Sequence, residues 1–231
     1  METLHFDRLF SGLALLDVDS SSLSEAILRQ HITELCIRNG CAASARVRLE
    51  VYRDEQTGCG WLAEALAVDT GYRWNDSGYT IDVFSDGRKQ ADSYSHLKSA
   101  NYLLYALAAR SASARPLDEA LVLNGAGRIC DGARTNVFIV SNGKIVTPPL
   151  SEGCIAGVMR RLLLERLPEA GFIVSEDELS IDRLAGAEAV FLTNAIRGVQ
   201  WVGRFRDSIY APEPVYKIYN ILLSTMTPGI C

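Results

Sequence analysis

The chain has 231 residues, with 28 acidic and 23 basic side chains, a formal net charge of −5 and 48% apolar residues. That composition suits a globular protein with a proper core, in one large domain or two small ones. No basic run exceeds two residues and no stretch of ~18 apolar residues occurs, so neither nucleic acid nor a membrane is expected as a partner.

The opening METLHFDRLF carries acids and no basic-then-apolar pattern, so no signal peptide is read and a cytoplasmic location is expected. Cys36, Cys41, Cys59, Cys130, Cys154 and Cys231 are scattered without a C-x-x-C pair and are expected to be reduced core thiols. His5, His31 and His96 lie too far apart for a metal-binding motif, and no metal is expected.

In chain order, SSSLSEAILRQHITELCIRN (20–39) opens with a serine cluster suited to N-capping. It then repeats Leu23, Ile27, Ile32, Leu35 and Cys36 at roughly helical spacing before Asn39-Gly40. SARVRLEVYRD (44–54) alternates Val47, Leu49 and Val51 with Arg46, Arg48 and Glu50, the pattern of a half-exposed strand. YTIDVFSDG (79–87) reads as a strand closing in a turn, and the polar stretch 85–95 as a linker. The apolar run after Lys98 predicts a helix with that lysine at its mouth. Strands follow at Ala120–Leu123, Asn136–Val140 and Lys144–Thr147, the last two joined by a turn at Ser141-Asn142-Gly143. A helix over 157–171, broken near Pro168, precedes an apolar strand in EAVFLTNA (188–195). Strands and helices mix without strict βαβ repetition, so the expected class is α+β.

Several residues could carry chemistry. Lys98 is either a solvated first-turn residue or an amine in apolar surroundings, where its pKa falls and it becomes a nucleophile. CIAGVMRRLL (154–163) puts Gly157 at a helix start, an ordinary loop glycine or a phosphate site built on free N–H groups. Thr193 and Asn194 end an apolar strand and either donate to a phosphate or build a turn. Arg8 in HFDRL is a snorkelling surface arginine or a third anion contact. Asp131, five residues before Asn136, is a turn aspartate or a counter-ion to a ring nitrogen. Together a lysine nucleophile, an anion site and a lone carboxylate are the parts that pyridoxal phosphate needs.

The order of segments resembles the fold-type IV pyridoxal-phosphate enzymes, the class IV aminotransferase family, which includes branched-chain and D-amino acid aminotransferases and aminodeoxychorismate lyase. The resemblance runs through HFDRLFSGLALL, ARVRLEVYRD, LKSANYL, DGARTNVFIVSNGKIVTPPLSEGCIAGVMRRLL and FLTNAIRGVQWV. It implies a two-domain D-amino acid aminotransferase-like fold: a small α+β domain to residue 84, a linker at 85–95, and a larger domain over 96–231. By the family's motifs Lys98 is the Schiff-base lysine and Arg8 the phosphate arginine of H-x-x-R-L. Val158 and Met159 offer backbone amides to the phosphate, Thr193 a hydroxyl, and Asn194 follows in the same loop. Tyr102 is the tyrosine of the N-Y pair, and Asp131 stands where the family usually has glutamate under the pyridine nitrogen. The family usually opens with some tens of residues before H-x-x-R-L, whereas METL precedes His5 here, so a shortened N-terminal domain is expected. The resemblance further implies pyridoxal 5′-phosphate as cofactor, a small-molecule amino substrate, a homodimer, and an aminodeoxychorismate lyase-like pyruvate elimination giving 4-aminobenzoate; the alternatives are transamination of a branched-chain or D-amino acid, and a cofactor-binding member of the family without turnover.

Overall fold

A computed structural model describes residues 1–68 and 72–225, which separate into two compact units between residues 68 and 72.

The first unit contains α1 (Glu2–Leu15), α2 (Glu25–Arg38), β1 (Ala45–Asp54) and β2 (Gly58–Ala67). Phe6, Leu9, Phe10 and Leu13 fall on one stripe of α1 because they recur at helical spacing. They pack with Leu28 and Ile32 of α2 and with Leu49, Val51, Cys59 and Trp61 of the antiparallel β1–β2 hairpin. The serine cluster does cap α2: Ser24 Oγ accepts from the Ile27 N–H at 3.2 Å. Past its C-terminus Gly40 takes a left-handed φ of +66°.

The second unit runs β3 (Tyr79–Val83), α3 (Leu103–Ser113), β4 (Glu119–Leu123), β5 (Ile129–Gly132), β6 (Asn136–Ser141) and β7 (Lys144–Thr147). It continues with α4 (Val158–Glu169), β8 (Ile173–Glu176), α5 (Ile181–Ala185), β9 (Ala189–Asn194), β10 (Gly198–Phe205), β11 (Ser208–Ile209) and α6 (Glu213–Thr225). Among the described residues the strands form one mixed sheet, ordered β5-β4-β3-β10-β9-β6-β7-β8, with β11 paired to β10. The β6–β7 turn is as expected, Asn142 and Gly143 both taking positive φ, +50° and +70°.

Alternation sorts the strand side chains onto two faces. Ile81, Leu121, Leu123, Val137, Ile139, Val190, Leu192 and Val202 build a core closed by Leu179, Leu184 and Tyr210. Ala120, Val122 and Cys130 meet Tyr105, Ala108 and Ala112 of α3 in a second core. α4 packs against β8 and β9. Pro168 falls in its last turn, so the helix ends one residue later instead of breaking earlier.

Three sequence expectations change. The boundary between units lies well before residues 84–95, because β3 is a central strand of the second sheet, parallel to both β4 and β10. The supposed linker is part of that unit: the Lys89 N–H donates to Leu123 O at 2.8 Å, and the residue is 9% exposed. The polar side chains of 85–95 that suggested a linker instead tie the segment to itself, as where Ser95 Oγ reaches Gln90 O at 2.7 Å. Finally, Lys98 is not at a helix mouth, since α3 starts at Leu103 and Lys98 lies in the irregular segment before it.

Candidate active site

The site-building residues of the second unit meet where β6 begins and β9 ends. Asn136 and Thr193 are direct partners across that antiparallel pair. Both side chains lie on the α4 face, because Val137 and Leu192 take the opposite core face.

Asn136 is the hub. Its Nδ2 donates to Asp131 Oδ1 at 2.9 Å and to Ile155 O at 2.8 Å. Its Oδ1 lies against Gly157, so close that a Cβ added there would stand 1.9 Å away. Gly157 is the N-cap of α4 with an ordinary φ of −68°, so glycine is required by the close approach and not by backbone strain. No side chain caps α4, and the amides of Val158 and Met159 open its first turn.

Thr193 is 1% exposed, and its Oγ1 has no hydrogen-bond partner. Leaving a buried hydroxyl unpaired costs about 1–3 kcal/mol. Thr193 Oγ1 and the first amides of α4 are thus polar groups that no side chain of the described residues satisfies.

The loop before α4 is held from several sides. Glu152 accepts from Arg128 Nη2 and from Asn124 Nδ2, both at 2.8 Å. Arg160 of α4 donates to Pro148 O at 2.8 Å and pairs with Glu176. The Ala156 N–H donates to His96 O at 2.9 Å, so the segment carrying Lys98 is fastened to the residue before Gly157.

Lys98 is exposed, its Nζ 5.5 Å from the centre of the Tyr102 ring. Tyr102, the N-cap residue of α3, stacks on Tyr105 with centroids 6.1 Å apart. Tyr105 Oη donates to Asp131 Oδ2 at 2.6 Å. Lys98, Tyr102, Tyr105 and Asp131 therefore form one line of contacts.

Asp131 is 1% exposed and lies within β5, opposite Val122, not in a turn. Its Oδ2 also accepts from the Ile155 N–H at 2.9 Å and from Lys89 Nζ at 3.4 Å. Burial pushes its carboxyl up, while Lys89, Tyr105 and the Ile155 amide act against that rise.

Of the residues singled out by sequence, Lys98, Tyr102, Asp131, Val158, Met159 and Thr193 are thus linked through few contacts. Asn194 follows Thr193, but its side chain is spent on the β9–β10 turn, where Oδ1 accepts from the Ile196 and Arg197 amides at 3.0 and 2.8 Å. Arg8 belongs to α1 of the first unit. Lys89, Tyr105 and Asn136 are not among the site residues to which the sequence points. Lys89 was hidden in a polar run, and Asn136 looked like a strand start. Tyr105 offered the only local signal, three residues after Tyr102 on the same helix. Among the described residues no group of acids, histidines and cysteines could hold a metal, and no helix is long and apolar enough to cross a membrane.

Residues 2–205 match the family described as Amino-transferase class IV. The chain belongs to the class IV aminotransferases. It is 26% identical over 202 residues to the branched-chain-amino-acid aminotransferase of Pseudomonas aeruginosa, covering 82% of this chain and 64% of that one. It is 34% identical over 95 residues to the aminodeoxychorismate lyase of Vibrio harveyi, covering 41% of this chain and 34% of the lyase. The fold matches the branched-chain amino acid aminotransferase structure from Escherichia coli with a TM-score of 0.84 at 20% identity, over 98% of this chain and 79% of that one. The expected α+β fold is therefore present.

Class IV aminotransferases use pyridoxal phosphate, and the residues here fit it. The orphaned Thr193 hydroxyl and the uncapped start of α4 suit its phosphate. A carboxylate has about four acceptor positions. Asp131 Oδ1 takes one donor, Asn136, whereas Oδ2 takes three, so Oδ1 retains a position for the pyridine N–H.

Proposed function

We propose that this chain is a pyridoxal-phosphate enzyme that labilises the Cα proton of an amino substrate, and that its reaction is elimination of pyruvate from aminodeoxychorismate to give 4-aminobenzoate. The observation that carries the cofactor is the buried, unpartnered Thr193 hydroxyl, opposite the Asn136 that lies against the start of α4. Support for the lyase reaction is the 34% identity shared with the Vibrio harveyi enzyme. Transamination of an amino acid, branched-chain or D-, is the second reading, favoured by the wider 82% coverage in the match to the Pseudomonas aeruginosa aminotransferase.

Bound pyridoxal phosphate supplies an aldehyde and an electron-accepting ring. The Val158 and Met159 amides and the Thr193 hydroxyl donate to the phosphate, with the α4 dipole behind them. Asp131 would accept from the ring N–H, and Lys98 would supply the amine for the aldehyde and the base for the proton at the substrate Cα. Tyr102, in contact with Lys98 and Tyr105, lines the approach from the lysine to Asp131.

The test is incubation of the cofactor-loaded protein with aminodeoxychorismate and, separately, with an amino acid panel plus 2-oxoglutarate. Pyruvate and 4-aminobenzoate from the first, without oxo-acid exchange in the second, establish the lyase. Exchange alone establishes the transaminase. A colourless protein that ignores added pyridoxal phosphate overturns both, leaving a member of the family without turnover.

A further inference from the structure

Lys89 is absent from every motif that carries the family resemblance, yet it is a buried cation set against Asp131. Its Nζ lies 3.4 Å from Asp131 Oδ2 and 5.0 Å from the centre of the Tyr105 ring. Its backbone is fixed against Leu123 and Asn124 at the end of β4. Gly153, at φ +89°, allows the next residues to pass close by: a Cβ there would stand 2.8 Å from Gln90 O.

The groups around Asp131 are almost entirely donors. Asn136 Nδ2, the Ile155 N–H and Lys89 Nζ have a hydrogen to give and no lone pair to offer, and Tyr105 Oη alone could accept. A protonated Asp131 would waste most of that shell, whereas a carboxylate uses all of it. The titratable groups facing it are Lys89 from the segment after β3, Tyr105 from α3, Cys130 beside it on β5 and Cys154 from the loop before α4. Burial and the Asp131 charge push the Tyr105, Cys130 and Cys154 groups up, Cys154 to about 12, so none of the three supplies a charge at neutral pH. That leaves the lysine. An apolar side chain of similar volume would fill the space without the cost of burying an ammonium, so packing alone does not account for it.

We propose that Lys89 is a positioning residue that holds Asp131 as a carboxylate able to accept from the pyridine N–H. It acts on the reaction through Asp131 and touches neither substrate nor reacting atoms. This role rests on the proposed pyridoxal-phosphate function. It also accounts for an aspartate at the position where the resemblance implies that the family usually has glutamate. The shorter acid is held by four donors within 3.4 Å, so its position is set by its shell and not by its reach.

The experiment is carboxyl-carbon NMR of the full cofactor-free chain labelled at aspartate, with the Asp131 resonance assigned by Asp131→Asn. The result expected for the wild type is an Asp131 that, though raised by burial, is still ionised at neutral pH. Lys89→Met raises its titration midpoint by about 2 pH units or more, and Lys89→Arg restores the wild-type position. Lys89→Gln gives the same reading if the methionine variant fails to fold. With cofactor, Lys89→Met weakens pyridoxal phosphate binding about tenfold, and combining it with Asp131→Asn adds little further loss. A folded Lys89→Met or Lys89→Gln protein with an unmoved Asp131 midpoint overturns the proposal. A wild-type chain that ignores pyridoxal phosphate overturns the function on which it rests, and this outcome is read separately from the cofactor-free titration.

Discussion

Asn136 and Thr193 stand opposite each other across β6 and β9; the first is fully hydrogen-bonded on its amide nitrogen and the second has a buried hydroxyl with no partner. That contrast separates support from binding. Asn136 holds the loop before α4, and the Thr193 hydroxyl is the one proposed to meet the phosphate. Thr193→Val should therefore keep or raise the melting temperature, because it removes an unpaired buried hydroxyl. It should weaken pyridoxal phosphate binding by about tenfold or more, the worth of a hydrogen bond to a charged group. Thermal melts and a visible-absorbance titration check both halves, and unchanged affinity would remove Thr193 from the site.

Gly157→Ala tests the close approach at the helix start. The new methyl would fall on Asn136 Oδ1, and Asn136 cannot retreat without releasing Asp131 and Ile155. The expected loss is about 1–3 kcal/mol of stability by denaturant melt, with weakened cofactor binding. An alanine variant as stable as wild type would contradict the geometry.

Tyr105→Phe removes the 2.6 Å hydrogen bond to Asp131 while keeping the ring under Lys89. Asp131 retains three donors, so the loss should be on the order of 1–3 kcal/mol and the fold should survive. Urea unfolding measures it, and no loss would mean that the bond contributes nothing.

His5 gives a pH prediction for the first unit. Burial, aided by the Arg8 guanidinium, lowers its imidazole to about 4 from the ordinary 6.5. Between those values the unfolded chain binds more protons than the folded one, so stability is complete above about pH 6.5 and falls as pH drops toward 4. His5→Gln should flatten that slope, by on the order of 2 kcal/mol after allowance for solvent screening. An unchanged slope in melts across this window would contradict it.

Local periodicity made much of the fold legible. The Ser24 cap, the alternation in β1, the Asn142-Gly143 turn and the apolar run of β9 each lie in a short window and reappear in the structure. What was misread depends on distant partners. Lys89 looked like linker because its neighbours are polar, and its burial comes from Asp131, 42 residues away. Of the two readings of Asp131, the turn drops out, because pairing with β4 makes it part of a strand. Lys98 lost its place at a helix mouth because Tyr102, and not a residue nearer the lysine, became the N-cap of α3. Thr193 and Asn194 looked equivalent as neighbours on a strand end. The pleat and the turn gave them different tasks.

The most direct test of the central claim is borohydride reduction of the protein loaded with pyridoxal phosphate, followed by peptide mapping of its four lysines, Lys89, Lys98, Lys144 and Lys217. The account predicts a single covalent label on Lys98, abolished in Lys98→Ala while Lys89→Arg still carries it. Label on Lys89, or no label at all, would contradict it.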